Sequence, residues 1–305
     1  MSDEVKNPAL EALGALGAAM LEGIRPEITS QVEAALKERA KALGVTRIEV
    51  VSPEGVKRID GHVHPVFERV LKNVNAGENV MLVGPAGSGK TTLAAQVAKA
   101  LSLKFYAQSI SEGTTEGSLF GRLLPVGEAG KFAFCPAPYL SFYEEGGLFL
   151  LDEADAGNAN VFTSLNASLA GNYFFSDLRA ATGGKAFVRK HDSFRCIAAC
   201  NTFGQGGSLM YAGRNQLDAA TLDRFKIIEV AYDTSYEQKI ARKSVVDWVW
   251  GVREKIERHN MRRVASTRMI QRFERALEIG ESWSDAKTSL LAGWSKDDLV
   301  RIGEA

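Results

Sequence analysis

The stretch that decides the fold reads Asn79-Val-Met-Leu-Val-Gly-Pro-Ala-Gly-Ser-Gly-Lys-Thr-Thr92. An apolar run typical of a buried strand comes first, a glycine-rich turn follows, and a helix with Leu93, Val97 and Leu101 at helical spacing comes next. The turn has the spacing G-x-x-x-x-G-K-S/T, which binds phosphate groups when it lies between a strand and a helix. The sequence therefore predicts a phosphate-binding loop in an α/β domain.

The chemistry of this loop follows from its residue types. Glycines allow backbone N–H groups to point at phosphate oxygens, and the positive end of the following helix adds to the attraction. Lys90 is expected to reach the β- and γ-phosphates of a nucleotide, and the Thr91 hydroxyl to hold a Mg²⁺ ion that bridges them. The residues predicted to contact the nucleotide are Gly84, Pro85, Ala86, Gly87, Ser88, Gly89, Lys90, Thr91 and Thr92.

A second apolar run, from Gly146 to Leu151, ends in the adjacent carboxylates Asp152 and Glu153. Parallel sheets present the carboxyl ends of their strands to ligand, so we expect this pair to face the phosphate loop. Asp152 is predicted to hold Mg²⁺ through water, and Glu153 to polarise an attacking water as general base. The alternative is an exposed strand end without a ligand.

The rest of the chain supports an α/β P-loop NTPase core with a parallel sheet and helices on both faces, followed by a small all-helical lid domain. We predict a helical N-terminal segment over residues 1–45, the nucleotide-binding domain over 46–232 and the lid over 233–305. A short hairpin of Arg47–Val51 and Val56–Ile59 precedes the core. The remaining predicted core strands are Lys104–Gln108, Leu148–Leu151, Arg195–Cys200 and Lys226–Val230.

Charge and cysteine content limit the partners and the location. Lys plus Arg and Asp plus Glu both number 37, so no whole-molecule field favours nucleic acid or membrane. The basic segment from Lys239 to Arg275 is interpreted as a solvated helical face near the nucleotide, with a nucleic-acid track as the alternative. The three cysteines lack metal-ligand spacing, no apolar run reaches the ~18 residues of a membrane span, and the acidic N-terminus is unlike a signal peptide. We expect a cytoplasmic protein that is not membrane-embedded.

From Asn79 to Phe225 the chain resembles the AAA+ ATPases of the MoxR and CobS branch, an AAA_5-type, dynein-related subfamily. The resemblance rests on the two phosphate-site motifs and on three further segments, Asp152–Gly157, Phe194–Thr202 and Tyr211–Phe225. It implies that Asn201 senses the γ-phosphate and the attacking water. It also implies that Arg224 is an arginine finger that acts on a neighbouring subunit's nucleotide, with Arg214 as the rival candidate.

The same resemblance extends weakly beyond the core. Ser266–Ile270 is similar to the family's Ser-x-Arg stretch at a helix start, which implies that Arg268 touches the γ-phosphate from the lid. Three segments, Ser118–Gly121, Gly130–Phe132 and Gly183–Arg189, occupy positions where this branch carries β-hairpin insertions, and we expect hairpins there.

The resemblance implies a function as well as a fold. The expected cofactors are ATP and Mg²⁺, and the expected assembly is a homo-oligomeric ring, most commonly a hexamer. The expected work is remodelling of a client or adaptor protein, often one with a von Willebrand-type domain, in the manner of a chaperone or chelatase motor. A nucleic-acid-dependent helicase or restriction-type translocase is one alternative, and a nucleotide-gated assembly module with low turnover is another.

Overall fold

The computed structural model of the 305-residue chain describes residues 62–127, 130–207 and 211–304 in full, and residues 48–52 and 55–59 by their backbone. The predicted N-terminal helical segment lies outside the described residues. By its contacts the chain divides into two compact units, Met1–Glu49 with Arg58–His62, and Val50–Lys57 with Val63–Ala305. Apart from strands β1 and β2, which fall partly in each unit, the elements described below lie in the second unit.

The strands in the described residues form four sheets. Strands β1 and β2 pair with each other in the predicted N-terminal hairpin, and two further short hairpins flank a five-stranded sheet. The strands are β1 Ile48–Ser52, β2 Gly55–Ile59, β3 Val80–Val83, β4 Phe105–Ser109, β5 Arg122–Pro125, β6 Phe132–Cys135, β7 Gly147–Asp152, β8 Tyr173–Phe175, β9 Phe187–Arg189, β10 Phe194–Cys200 and β11 Lys226–Glu229.

The five-stranded sheet has the order β11-β3-β10-β7-β4, and every neighbouring pair is parallel. Its three inner strands are apolar along nearly their whole length and buried, as expected for strands covered on both faces. The register aligns Cys200 with Val83, and Ala198 with Leu151. The carboxyl ends of β3, β10 and β7 therefore meet at one edge, which confirms the predicted α/β class.

The helices of the described residues cover this sheet and continue beyond it. The longer core helices bury apolar residues, such as Leu93 and Val97 on the helix that packs against β7 and β4, and Tyr139 and Tyr143 among the rings of Phe149 and Phe194. The helices are α1 Phe67–Asn75, α2 Lys90–Ala100, α3 Glu116–Phe120, α4 Pro138–Glu145, α5 Ala159–Ala170, α6 Asp177–Ala181, α7 Ala219–Leu222, α8 Thr234–Ile240, α9 Lys243–Arg258, α10 Thr267–Glu278, α11 Trp283–Leu290 and α12 Lys296–Ile302.

Two of the three expected hairpin regions contain hairpins, and the third prediction was wrong in detail. Strands β5 and β6 pair antiparallel across the region of Gly130–Phe132, and β8 pairs with β9 across Gly183–Arg189. Ser118–Gly121 instead lies at the end of helix α3. The physical reason is a capping box, in which the side chains of Thr115 and Ser118 accept hydrogen bonds from each other's backbone N–H groups and start a helix there.

The helices after Asp233 pack around their own apolar cluster, as the predicted lid requires. Beside this cluster lies a buried ion pair. Glu237 is fully buried, and its carboxylate accepts hydrogen bonds from Arg253 at 2.7 and 3.1 Å, Thr267 at 2.7 Å and Trp250 at 2.6 Å. Burial alone would raise the pKa of Glu237, but these hydrogen bonds outweigh it and hold the pKa below its usual range. Glu237 therefore joins helices α8, α9 and α10.

Removing the charge of Glu237 should destabilise the protein. Glu237→Gln preserves the size of the side chain but leaves the mostly buried Arg253 without its counter-charge, so we expect a loss of about 3–5 kcal/mol in the free energy of unfolding. Urea unfolding at neutral pH measures this loss. The matched control is Glu254→Gln, which breaks an exposed ion pair with Arg258 and should cost less than about 1 kcal/mol.

The same pair has a defined pH dependence. Folding lowers the pKa of Glu237. Its ionised carboxylate therefore adds to the free energy of unfolding at pH values above the ordinary carboxyl pKa, and this addition is lost as the pH falls through the folded-state pKa. The stability gap between the wild type and Glu237→Gln should therefore narrow on acidification. A gap that is small at neutral pH, or that widens in acid, would contradict this role.

Candidate functional site

The glycine-rich loop lies at the carboxyl edge of the sheet, between β3 and the start of α2. The Gly84 N–H donates a hydrogen bond to the Cys200 carbonyl at 3.1 Å, which continues the backbone pairing of β3 with β10. Gly87 and Gly89 adopt φ values of +78° and +90°, which disfavour any residue with a side chain. A Cβ atom on Gly87 would also lie 2.8 Å from Cβ of Ser266, so the loop and the lid approach each other closely there.

Lys90 lies inside this loop with its side chain buried. Its ammonium donates to the carbonyl oxygens of Gly84 at 2.7 Å and Pro85 at 3.0 Å, and to Oδ1 of Asn201 at 3.0 Å. Burial lowers the pKa of Lys90 to about 8, and the nearby Asp152 carboxylate partly opposes this shift. The loop thus holds a desolvated cation between two peptide carbonyls and the predicted sensor residue.

Thr91 and Asp152 lie side by side, as the two phosphate-site motifs predict. The Thr91 hydroxyl donates to Oδ2 of Asp152 at 2.8 Å, which joins the start of α2 to the end of β7. A hydroxyl and a carboxylate are the hard oxygen ligands that Mg²⁺ prefers. The Ser88 hydroxyl of the same loop is buried and has no hydrogen-bond partner among the described residues, so the loop retains an unused polar group for a ligand. The residues present therefore fit a magnesium–phosphate group.

Glu153 follows Asp152 and differs from it in exposure. Its backbone is left-handed, with a φ of +54°, and about half of its side chain is exposed. Oε2 of Glu153 lies 3.6 Å from Nη1 of Arg214, which also lies 3.4 Å from Oδ1 of the fully buried Asp155. Glu153 is thus a solvent-accessible carboxylate at the edge of the loop, beside a cation of its own chain.

Asp155 is a structural residue of the site that the sequence reasoning missed. Its Oδ2 atom accepts hydrogen bonds at 2.9 Å from the backbone N–H groups of Asn201 and Thr202 and from the Thr202 hydroxyl. These bonds fix the turn after β10 against the segment after β7, which directs the Asn201 side chain toward Lys90. The only sequence signal was its place inside the segment Asp152–Gly157.

The segment from Tyr211 to Leu217 contacts its own chain's site at two points. The Tyr211 hydroxyl accepts a hydrogen bond from the Ala86 N–H at 2.9 Å, and Arg214 pairs with the acidic residues described above. Tyr211 thus engages a loop amide of the kind expected to face phosphate. The Arg214 side chain is mostly buried beside these carboxylates of its own chain.

Arg224 lies at the opposite edge of the sheet. Its carbonyl accepts a hydrogen bond from the Asn79 side chain at 3.3 Å, and Asn79 immediately precedes β3. The phosphate loop follows β3, so a four-residue strand of roughly 13 Å separates the two. The Arg224 guanidinium donates to the Ala220 carbonyl, and its buried Nε atom has no hydrogen-bond partner among the described residues. The structure therefore does not bring Arg224 to the phosphate loop of its own chain.

Ser266 and Arg268 of the lid, and Tyr232 just before the lid, lie against the phosphate loop. An added Cβ on Gly87 would lie 3.7 Å from Cγ of Arg268, and the charge of Arg268 is near enough to lower the pKa of Lys90. The Tyr232 hydroxyl donates to the Ala86 carbonyl at 3.0 Å. The guanidinium of Arg253 lies 3.8 Å from the centre of the Tyr232 ring, which links the loop to the buried Glu237 pair. Tyr232 was also missed, because nothing in its local sequence marks it.

Three further observations concern the cysteines, possible metal ligands and hydropathy of the described residues. Cys196 and Cys200 are buried in β10, where burial raises the pKa of each thiol to about 12, so they act as small apolar residues as predicted. Among the described residues no group of three or more His, Cys, Asp or Glu side chains could hold a metal ion. No helix in the part of the chain that the structure describes has the length and hydropathy needed to cross a bilayer.

The fold and this site define a P-loop α/β domain followed by helices. Residues 79–225, just under half of the chain, match the family model described as AAA domain (dynein-related subfamily). The match covers the phosphate loop, the acidic strand, Asn201 and Arg224. It agrees with the AAA part of the resemblance, whereas the MoxR and CobS branch stays a prediction.

The chain is similar to parts of several proteins. Midasin of Dictyostelium discoideum is 31% identical over 160 residues, which are 52% of this chain and 3% of midasin. The uncharacterized protein SERP0979 of Staphylococcus epidermidis is 28% identical over 170 residues, 55% of this chain and 60% of that protein. The chain thus spans less than two thirds of either relative. A crystal structure of a Cytophaga hutchinsonii protein, provisionally named an ATPase, is 18% identical, with 78% of this chain and 73% of that chain covered and a TM-score of 0.44.

Proposed function

We propose that this chain is a Mg²⁺-dependent ATPase that assembles into a ring, in the simplest case a hexamer, and remodels a partner protein by hydrolysis at its subunit boundaries. The partner class follows from the resemblance to the MoxR and CobS branch, and it includes proteins with a von Willebrand-type domain. A chaperone-like or chelatase-like motor in the cytoplasm is the corresponding cellular role. The hydrolysis site is the best supported part of this proposal, and the partner rests on resemblance alone.

One observation carries the enzymatic part, the 2.8 Å hydrogen bond between Thr91 and Asp152 beside the buried Lys90. These three side chains come from two elements that the sheet brings to one edge. They supply a cation for the phosphates and oxygen ligands for the Mg²⁺ of a nucleoside triphosphate. When bound, Mg²⁺ would neutralise charge on the phosphate oxygens. Thr91 and Asp152 are the residues that would hold it, and Lys90 would bind the phosphates themselves.

The remaining residues have separate tasks in this proposal. The accessible carboxylate of Glu153 would accept a proton from the attacking water, and a general base of this kind contributes roughly 10²–10⁴ in rate. Asn201 would orient that water, since its side chain already lies on the Lys90 ammonium and its backbone is fixed by Asp155. Arg268 would reach the phosphates from the lid, where it lies beside Gly87.

The ring is supported by the position of Arg224. The backbone of Arg224 lies one strand length, roughly 13 Å, from its own phosphate loop, and its buried Nε atom has no hydrogen-bond partner among the described residues, which suits Arg224 to a neighbouring site better than to its own. The basic lid gives little support to the nucleic-acid alternative, because much of its charge is neutralised within the chain. The arginines with carboxylate partners there are Arg242, Arg253, Arg258 and Arg263.

Replacing Glu153 by Gln should separate binding from hydrolysis. Glu153→Gln preserves the shape of the site but cannot take a proton, so we expect ATP affinity within about twofold of the wild type and hydrolysis slowed by about 100-fold or more. Lys90→Ala should instead lose binding. Fluorescent-nucleotide titration and phosphate release measure the two quantities.

The matched control for that experiment is Glu145→Gln, which removes the charge of an exposed carboxylate paired with Lys104 and should change neither quantity. Hydrolysis by Glu153→Gln at the wild-type rate would refute the assigned base. Phosphate release by Lys90→Ala would show that hydrolysis takes place elsewhere.

Mixing two inactive variants should test whether Arg224 acts across a boundary. Arg224→Ala should bind ATP but hydrolyse it poorly, and Lys90→Ala supplies an intact Arg224 without binding ATP. In a ring of randomly mixed equal amounts, about a quarter of the boundaries combine a competent site with a competent finger. Phosphate release by the mixture should therefore recover to roughly a quarter of the wild-type rate.

Arg262→Ala is the control for that mixture, because Arg262 is exposed and its removal should leave hydrolysis intact. A mixture as inactive as its two components, although both variants assemble, would contradict a shared site.

A further inference from the structure

The outward face of the β8–β9 hairpin carries aromatic rings that nothing in the described structure covers. In this hairpin Tyr173 lies opposite Arg189, and Phe175 lies opposite Phe187. These three aromatic residues are 53–71% exposed, whereas the residues between them, Phe174 and Val188, face the core. One face of the hairpin is therefore buried against the core. The other face exposes the three aromatic rings and the Arg189 side chain to solvent.

A pocket of about 610 Å³ adjoins the Phe187 ring, and half of its lining residues are lysines and arginines. Four basic side chains line it, Arg179, Lys185, Arg189 and Lys190. Arg179 is neutralised by Glu144, with which it forms two hydrogen bonds of 2.6 and 2.8 Å. The other three have no carboxylate partner in the described part of the chain, although Asp192 also lines the pocket.

Lys190 is the most informative of these cations. It is half-buried, and its ammonium lies 5.8 Å from the centre of the Phe194 ring, with no anion beside it among the described residues. Burial lowers the pKa of Lys190, which means that the charged form is held there at a cost. An anionic ligand in the pocket would remove that cost, as would be expected for a built anion site.

The position of the pocket separates it from the phosphate loop. His191 donates its backbone N–H to the Tyr143 carbonyl, and Ser193 accepts one from Gly147, so this wall lies where β7 and β10 begin. The loop that holds Lys90 lies at the other end of the same sheet, and the seven residues of β10 span roughly 23 Å. The cations of the pocket therefore belong to a second site.

The combination of rings and unpaired cations indicates the ligand. Single-stranded nucleic acid supplies a phosphate at every residue for the cations and a flat base at every residue for the rings, and proteins bind it with a positively charged groove and aromatic side chains. A peptide could contact both the cations and the rings only if its carboxylates and apolar side chains followed one another in a particular order. Duplex nucleic acid keeps its bases stacked and would leave the rings exposed.

We propose that the outward face of the β8–β9 hairpin and its adjoining pocket bind single-stranded nucleic acid, with bases stacked on Tyr173, Phe175 and Phe187 and phosphates on Lys185, Arg189 and Lys190. The neighbouring β5–β6 hairpin can extend the surface. Arg179 lies 5.7 Å from the centre of the Phe134 ring, which joins the two hairpins, and Phe132 beyond it is 57% exposed. This binding requires no hydrolysis, so it can hold or fail independently of the proposed ATPase.

The test is fluorescence anisotropy of a labelled oligothymidylate with the full chain, Mg²⁺ and a non-hydrolysable ATP analogue. We expect Phe187→Ala to weaken binding by about tenfold through the loss of one stacked base, and Phe187→Trp to retain it. The double variant Arg189→Ala, Lys190→Ala should reduce the slope of log K against log salt by about 1.4, since each phosphate contact to a single strand contributes about 0.7.

Matched controls come from the lid. Ile279→Ala removes an equally exposed apolar side chain, 71% exposed like Phe187, and Lys296→Glu reverses an exposed cation. Neither should change the affinity. The proposal is overturned if the ATP analogue binds but the oligonucleotide does not. It is overturned equally if the oligonucleotide binds the hairpin variants as tightly as it binds the wild type. It is also overturned if an acidic peptide with aromatic residues, tested in parallel, is the probe that binds and depends on Phe187.

Discussion

The parallel register of β3, β10 and β7 is the constraint on which the site depends. It aligns Val83 with Cys200 and Ala198 with Leu151, so the segments that follow these three strands leave the sheet at one edge. The phosphate loop, Asn201 and the Asp152–Glu153 pair are those segments. A shift of β3 or of β7 along the sheet would separate the Thr91 hydroxyl from the Asp152 carboxylate, which are now 2.8 Å apart. The chemistry of the site is therefore set by sheet pairing before any ligand is present.

Much of this arrangement could be predicted because its signals are local. The apolar run before Gly84, the glycine spacing and the acidic pair after Leu151 each lie within a few residues of one another, and parallel pairing then requires them to meet. Asp155 and Tyr211 could not be assigned in the same way. Their roles depend on hydrogen bonds to residues 46 and 125 positions away, which no short pattern encodes. Ser118–Gly121 was expected in a hairpin, and a capping box made it helical instead.

The connection between the lid and the phosphate loop is a chain of polar contacts. The Ala86 carbonyl accepts from Tyr232, the Tyr232 ring lies against Arg253, and Arg253 shares the buried Glu237 with Thr267 at the start of α10. Arg268 is the next residue of that helix. A ligand that changes the conformation of the loop at Ala86 would thus act on the same helix start that carries the predicted lid arginine. Lid movement coupled to nucleotide state has a physical route here, as ring motors of the proposed type require.

The central claim is that Thr91 and Asp152 hold the magnesium of a nucleotide bound at Lys90. Titration of ATP in Mg²⁺ and in EDTA, for the wild type, Thr91→Val and Asp152→Asn, tests it directly. The account predicts that Mg²⁺ strengthens ATP binding to the wild type and that this strengthening is largely lost in both variants, while circular dichroism shows them folded. An equal response to Mg²⁺ in all three proteins would contradict the account.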